Sequence, residues 1–191
     1  MYKRQIYGEA KAKRRKSKEK EFNSYYLDYS LIDEEGNAFL TAEEFYITTI
    51  QVSNGNGGFT TQTVYHYDNI LIVKFDRDGN LVWGRNILKA ARSHSYNAFE
   101  IDGKLHILLN TGKNITKKSN DRKKIKKSWL EKSALYDIVY DEDGKETYEL
   151  IKENDGKKDF YSPTRGSFDY DKFIMANLSK NKRRFIVLTR K

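Results

Sequence analysis

The sequence predicts an all-β fold, and three observations carry that expectation. Apolar and polar residues alternate with a period of two along most of residues 22–191, the spacing at which successive strand side chains take opposite faces. Aromatics make up 14% of the chain, with 14 Tyr and 10 Phe. Together with threonine and the β-branched residues they suit a pleated, half-buried surface better than a helix. Finally, short Asp, Asn and Gly runs separate the alternating stretches, which is the strongest short-range signal for hairpins.

The elements follow in order. Residues 9–21, "EAKAKRRKSKEKE", are charged and lack large apolar side chains. Residues 1–21 therefore read as a basic tail, helical or disordered, with Arg14 and Arg15 in its centre. Residues 22–191 form the β domain. "FNSYYLDYSLID" passes through "EEGN" into "AFLTAEEFYITTIQV", and "YHYDNILIVKFD" passes through "RDGN" into "LVWGRNIL". "SYNAFEID" turns at Gly103 into "KLHILLN", and "SALYDIVYDED" turns at Gly144 into "KETYELIK". Last, "GSFDYDKFIMANL" passes through "SKNKR" into "RFIVLTR". Five pairs make ten expected strands.

Between the first two pairs lies "QVSNGNGGFTTQ", residues 51–62. A phosphate-binding loop needs a strand before it, a helix after it, and usually G-K-[ST] or G-x-G-x-x-G. Here Thr60 stands three past Gly57, no lysine follows, and threonine-rich alternating runs lie on both sides. Asn54, Gly55, Asn56, Gly57 and Gly58 therefore read as the tip of a projecting hairpin.

The pairs repeat. At an offset of 65, Asp141, Asp143 and Gly144 fall on Asp76, Asp78 and Gly79, Tyr140 falls on Phe75, and Tyr148 on Trp83. At an offset of 67, "GKLHILL" falls under "GNAFLTA". Two hairpins per unit and units of about 24–97, 98–164 and a partial 165–191 point to a repeat architecture. The extra length per unit lies at 46–63 and 111–132, equivalent places where insertions form arms on one edge or face.

"NILIVKFDRDGNLVWGRNI" resembles the bacterial seven-bladed β-propeller repeat: an apolar strand, Lys, an aromatic, Asp, a Gly-Asn turn and a Trp-bearing strand. "LIDEEGNAFLTAEEF" is similar to that repeat's other hairpin. The likeness covers about two and a half units and is clearest at 70–84; Lys145 and Tyr148 replace the Asn and Trp in the second unit. It implies four-stranded antiparallel blades. Two and a half blades cannot close a ring, so the resemblance implies an incomplete propeller, one completed by oligomerisation or by a longer parent chain, or an open stack with edges to cover.

Composition limits the chemistry. With no cysteine, thiolate catalysis, disulfides and Cys-ligated metals are excluded. The N-terminus lacks an apolar signal region and no stretch reaches membrane-span length, so the chain as written reads as soluble and cytoplasmic, or as envelope if cut from an exported parent. A net charge of +9 favours encounters with polyanions. Residues 113–132 hold nine Lys or Arg against Asp121 and Glu131. Lys117, Lys118, Arg122, Lys123, Lys124, Lys126 and Lys127 would meet phosphates or sulfates, with Trp129 for stacking, on a short helix with Ile125 and Trp129 on one stripe; a solvated insertion is the alternative.

Other constellations carry less. Asp76-Arg77-Asp78-Gly79 and Asp141-Glu142-Asp143-Gly144 have two alternating carboxylates of a calcium loop, but Ile87 and Lys152 stand where its closing Glu belongs. They read as hairpin turns in which Asp bonds its own backbone. His66, His94 and His106 lie in different elements without ligand spacing. Glu43-Glu44 could offer carboxylates to a glycosidase, yet nothing singles them out among 27 acids. Val73, Phe75, Leu81 and Trp83 read as core between neighbouring sheets.

The expected function is a non-enzymatic binding or protein-interaction module, with a protein partner or a second copy, and with no metal or cofactor. Polyanion binding through the tail and 113–132 is the alternative, and a carbohydrate-active enzyme the third.

Overall fold

A computed structural model describes residues 24–112, 116–118, 122–124, 133–154, 160–169, 172–178 and 182–189. Among these residues every regular element is a strand, and no helix is long and apolar enough to cross a membrane.

Three sheets result. The first runs β1 (Tyr25–Ile32), β2 (Ala38–Ser53), β3 (Phe59–Phe75) and β4 (Leu81–Ala91) as an antiparallel meander. Two three-residue strands, β7 (Thr116–Lys118) and β8 (Arg122–Lys124), extend its β4 edge, with β8 parallel to β4. The second sheet contains β5 (Tyr96–Ile101), β6 (Lys104–Gly112), β9 (Ser133–Tyr140) and β10 (Glu146–Glu153), in the order β10-β9-β6-β5. The third is a meander of β11 (Tyr161–Asp169), β12 (Lys172–Asn177) and β13 (Phe185–Thr189).

Thirteen strands among the described residues replace the ten expected. The run "GSFDYDKFIMANL" divides into the end of β11 and β12, which pair antiparallel with each other up to Asp169↔Lys172. The other two additions, β7 and β8, lie in the lysine-rich insert. There the helix expected over Ile125 and Trp129 falls outside the described residues, and 122–124 is extended and paired.

The turns follow the Asp-Gly chemistry. Asp76 Oδ1 accepts the amides of Asp78 at 3.0 Å and Asn80 at 2.8 Å, while Oδ2 accepts Asn80 Nδ2 at 2.9 Å. Its carboxyl is held below the usual range, chiefly by the Asn80 side chain and then by the Asn80 amide. Asp33 and Asp141 each accept the amide four residues on, at 2.7 Å. Carboxylate oxygens that serve calcium in an EF-hand loop serve backbone amides here.

The second sheet is the middle layer. Along β6, Leu105, Ile107 and Leu109 join Phe39, Ile70, Ile72 and Trp83 of the first sheet in one buried cluster. Leu108, on the other face, joins Phe99, Leu135, Phe173 and Met175 in a second cluster shared with the third sheet. Burying one such side chain contributes about 1.5–3 kcal/mol. A strand covered on both faces needs an almost continuous apolar run, which "LHILL" supplies.

The core face of β3 differs from the expected one. Ile70 and Ile72 are buried, whereas Val73 and Phe75 are only half-buried. A register irregularity between Lys74 and Phe75 switches the parity across the turn, so Trp83 pairs with Lys74 and lies on the Ile72 side. Trp83 then reaches the second sheet. Its Nε1 donates to Glu142 O at 2.8 Å, and Arg85 Nε donates to Gly144 O at 2.8 Å. Gly144 has φ +71°, and a Cβ there would stand 2.7 Å from the Trp83 ring. Glycine is required twice over, for its backbone and for the indole seated against it.

Candidate functional site

Three places offer surface or chemistry beyond the core: an arm on the first sheet, a cleft between the second and third, and a buried polar cluster between the first and second.

The arm is a continuation of β2 and β3. β1 pairs with β2 only as far as Tyr25↔Glu44, and β4 pairs with β3 only as far as Tyr67↔Ala91. Beyond those points β2 and β3 still pair with each other, down to Ser53↔Phe59. The two-stranded ribbon so formed is roughly 25 Å long, and its outer edges have no strand neighbour among the described residues. At the tip, Asn54 Oδ1 accepts the amides of Asn56 and Gly58, each at 3.0 Å, and Gly55 and Gly57 take φ of 80° and 78°. Those amides point at Asn54, so the loop is a hairpin tip and not a phosphate cradle.

The arm's composition sets it apart. Residues 45–67 contain no Asp, Glu, Lys or Arg in a chain that is 33% charged. Large apolar side chains stand in solvent: Phe59 is 71% exposed, Ile47 53% and Tyr65 49%. Phe45, Tyr65 and Tyr67 cluster on one face, with Phe45 to Tyr67 ring centres 4.8 Å apart. On the other face Tyr46 stacks on His66 at 4.5 Å, His66 Nε2 contacts Thr48 Oγ1 at 2.7 Å, and Val64 is buried. Tyr46 also donates to Asp68 Oδ2 at 2.6 Å; that hydrogen bond, with lesser burial, pushes the phenol up to about 12.

The cleft lies between the second and third sheets and has a volume of about 530 Å³. Phe99, Ile151, Phe168, Phe173 and Leu188 are among its apolar lining. Phe99 stacks with Phe168 at 5.0 Å and Phe173 at 5.1 Å, and His106 lies flat on Phe99 at 5.1 Å. Gly166 makes room for Phe173, whose ring is 2.4 Å from where a Gly166 Cβ would be. Polar groups enter from one side. His106 Nδ1 and Asp137 Oδ2 are 2.7 Å apart, on the neighbouring strands β6 and β9.

The buried cluster joins β1, β2, β4 and β5. Lys89 Nζ pairs with Glu43 Oε1, and their side chains are 4% and 3% exposed. Lys89 also donates to Ser95 Oγ at 2.9 Å, and Glu43 Oε2 meets His94 Nδ1 at 2.7 Å. Tyr96 donates to Asp28 Oδ2 at 2.5 Å and contacts Thr41 Oγ1 at 3.0 Å. Burial pushes the Asp28 carboxyl and the Tyr96 hydroxyl up and the Lys89 ammonium down. Tyr29, beside Asp28, is raised to about 12, again chiefly by burial. Ligand-type atoms of Asp28, Glu43 and His94 lie within 4.8 Å of one another. The ammonium of Lys89 already supplies the positive charge that Glu43 requires, so the arrangement is a hydrogen-bonded rivet between two sheets.

The residues singled out from sequence are distributed unevenly. Glu43 and Glu44 do not converge: adjacent on a strand, they face opposite ways, and Glu44 accepts Asn69 Nδ2 while Glu43 is in the rivet. His66, His94 and His106 belong to the arm, the rivet and the cleft respectively. Lys117, Lys118, Arg122, Lys123 and Lys124 lie on the β7–β8 ladder. Arg14, Arg15, Lys126, Lys127 and Trp129 lie outside the described residues. Asp28, Lys89, Tyr96 and Asp137 were not anticipated. Their partners stand 31 to 68 residues away, apart from Ser95, and no local spacing marks such pairs.

Comparison with family models, with curated proteins and with solved structures returned no match.

Proposed function

We propose that the protein is a non-enzymatic interaction module, a stack of blade-like β-meanders that pairs with a second copy of itself through the β2–β3 arm. One observation carries this reading: residues 45–67 form a ribbon without Asp, Glu, Lys or Arg, with exposed apolar side chains and, among the described residues, no strand neighbour on either outer edge. Proteins usually blunt such edges with lysine, proline or a covering element. A two-stranded ribbon is also marginal in water on its own. A second arm laid antiparallel to the first would pair an edge and cover a face, and two arms without side-chain charges meet without repulsion in a chain of net charge +9. The meanders, packed face to face about the second sheet, support the propeller-like reading of the repeats.

Light scattering across a concentration series tests the proposal. The intact chain is expected to be a dimer or larger, and a variant with residues 47–65 replaced by a two-residue Asn-Gly turn is expected to be monomeric. A monomer at every concentration would overturn it.

A polyanion reading keeps one specific support: β7 and β8 place five basic residues in six positions on a single ladder at the sheet edge. Heparin retention that collapses between low and moderate salt would favour it.

A further inference from the structure

The cleft between the second and third sheets has features that self-association through the arm does not use. From its geometry we infer that it binds a small hydroxylated aromatic compound of the phenol class, its ring in the phenylalanine-lined space and its hydroxyl donating to His106 Nε2.

Placement comes first. On β6, His106 stands two residues before Leu108, which packs toward the third sheet, and it pairs across the ladder with Phe99 of the same cluster. Alternate strand residues share a face, so His106 projects from the second sheet toward the third, and it lines the cleft together with Phe99, Phe168 and Phe173. The cleft's volume, about 530 Å³, falls within the range of small-molecule sites, about 300–1,000 Å³. Phe168 and Ile151 line it without being fully buried, leaving apolar surface for a ring to cover.

The imidazole is held so that one nitrogen is committed and the other is open. Its face lies on the Phe99 ring at 5.1 Å with 9° between the planes, and Nδ1 is 2.7 Å from Asp137 Oδ2. A carboxylate accepts, so Nδ1 carries the hydrogen, and in the neutral ring Nε2 is then an acceptor. Within the imidazole, Nε2 is farther from the backbone than Nδ1, so it stands farther out from the second sheet. It makes no hydrogen bond among the described residues and is not one of the buried atoms left without a partner. The side chain that bears it is 19% exposed. Nε2 is therefore an acceptor of fixed direction that keeps accessible surface beside the aromatic cluster.

The class of ligand follows from those two features. Phe99 stacks with Phe168 at 5.0 Å and Phe173 at 5.1 Å, and such a cluster favours a flat apolar body against its outer rings. An acceptor nitrogen without a hydrogen of its own favours a donor. A phenol supplies both, whereas its methyl ether has the same ring and no hydrogen to give.

Calorimetric titration of the full chain with p-cresol and with its methyl ether, on the alkaline side of neutral pH, tests this. p-Cresol is expected to bind about threefold to tenfold more tightly, the worth of one hydrogen bond. His106→Phe keeps a flat ring on Phe99 and removes the acceptor, and is expected to bring p-cresol down to the affinity of the ether. If His106→Phe fails to fold, long-range nitrogen–proton NMR on the wild-type chain decides the same point. His106 is expected to carry its hydrogen on Nδ1, and p-cresol, unlike the ether, is expected to shift the Nε2 signal. Equal affinity for the two compounds, no binding of either at millimolar concentration, a His106→Phe variant that matches the wild type, or a His106 with its hydrogen on Nε2 would overturn the inference. Failure here leaves the arm's self-association untouched, because light scattering reads that separately.

Discussion

β2 and β3 each live two lives along one strand. At the root, Phe39 and Ile72 are wholly buried between the first and second sheets. A few residues on, Ile47 and Tyr65 stand half in solvent on the arm. The two stretches share period, pairing and β-branched content, and differ in what lies beside them. At the root β1 and β4 complete the sheet and the second sheet covers its face; along the arm the ribbon has neither among the described residues. Strand formation is a property of the ribbon, whereas burial is conferred by its neighbours.

The sharpest way to break this comparison is a matched pair of truncations on each strand. Phe39→Ala is expected to cost about 3–5 kcal/mol and Ile72→Ala about 2–5 kcal/mol, measured by urea denaturation. Ile47→Ala and Tyr65→Ala are expected to change stability by less than about 0.5 kcal/mol while weakening self-association. An arm truncation as costly as a root truncation would mean the arm is part of the monomer's core.

The rivet gives a comparable effect by another mechanism. Lys89→Met leaves Glu43 buried without its cation and is expected to cost about 3–5 kcal/mol. Adding Glu43→Leu to Lys89→Met is expected to recover most of it, since an apolar pair replaces a desolvated ionic one. A double variant no better than the single would show that His94 and Ser95, not Lys89, govern the site.

Gly144→Ala follows, at about 2 kcal/mol, because φ +71° and the Trp83 ring 2.7 Å from the added Cβ both oppose it. Gly55→Ala serves as its control on the arm. It has the same backbone sign but nothing within 4 Å, so about 1 kcal/mol is expected. If the two cost the same, indole packing contributes nothing at Gly144.

The smallest effect is a change of slope with pH. Burial raises the Asp28 carboxyl above its ordinary 3.8, so the folded state holds that proton more tightly than the unfolded chain. The resulting stabilisation is present in full below 3.8 and is lost as pH rises through the higher folded value. Asp28→Asn is expected to remove that decline, leaving a flatter stability profile above pH 3.8. An unchanged profile would assign the slope to another group.

Much of the fold was legible beforehand. The Asp-Gly turns, the hairpins around them and the Asn54–Gly58 tip depend on residues within five positions of one another, and local chemistry suffices there. The β7–β8 ladder and the divided β11–β12 run were less legible, since one needs pairing to a distant strand and the other carries no Gly, Asn or Pro between its two halves. The sites were harder still. The lysine-rich insert announced itself by composition, yet the rivet and the cleft are built from single residues of ordinary-looking strands.

The sequence by itself determined that this chain is β, where its hairpins turn, and that its second insertion is basic. Period two and turn residues act over a few positions, so they survive without any knowledge of the whole. Only the tertiary structure decided which face of β3 is core, that the middle sheet is covered on both sides, that Glu43 meets Lys89 and that Asp137 meets His106. A single bulge can invert a strand's face, and contacts across 31 to 68 residues depend on how sheets stack. Those outcomes belong to packing, where many weak local preferences are settled together.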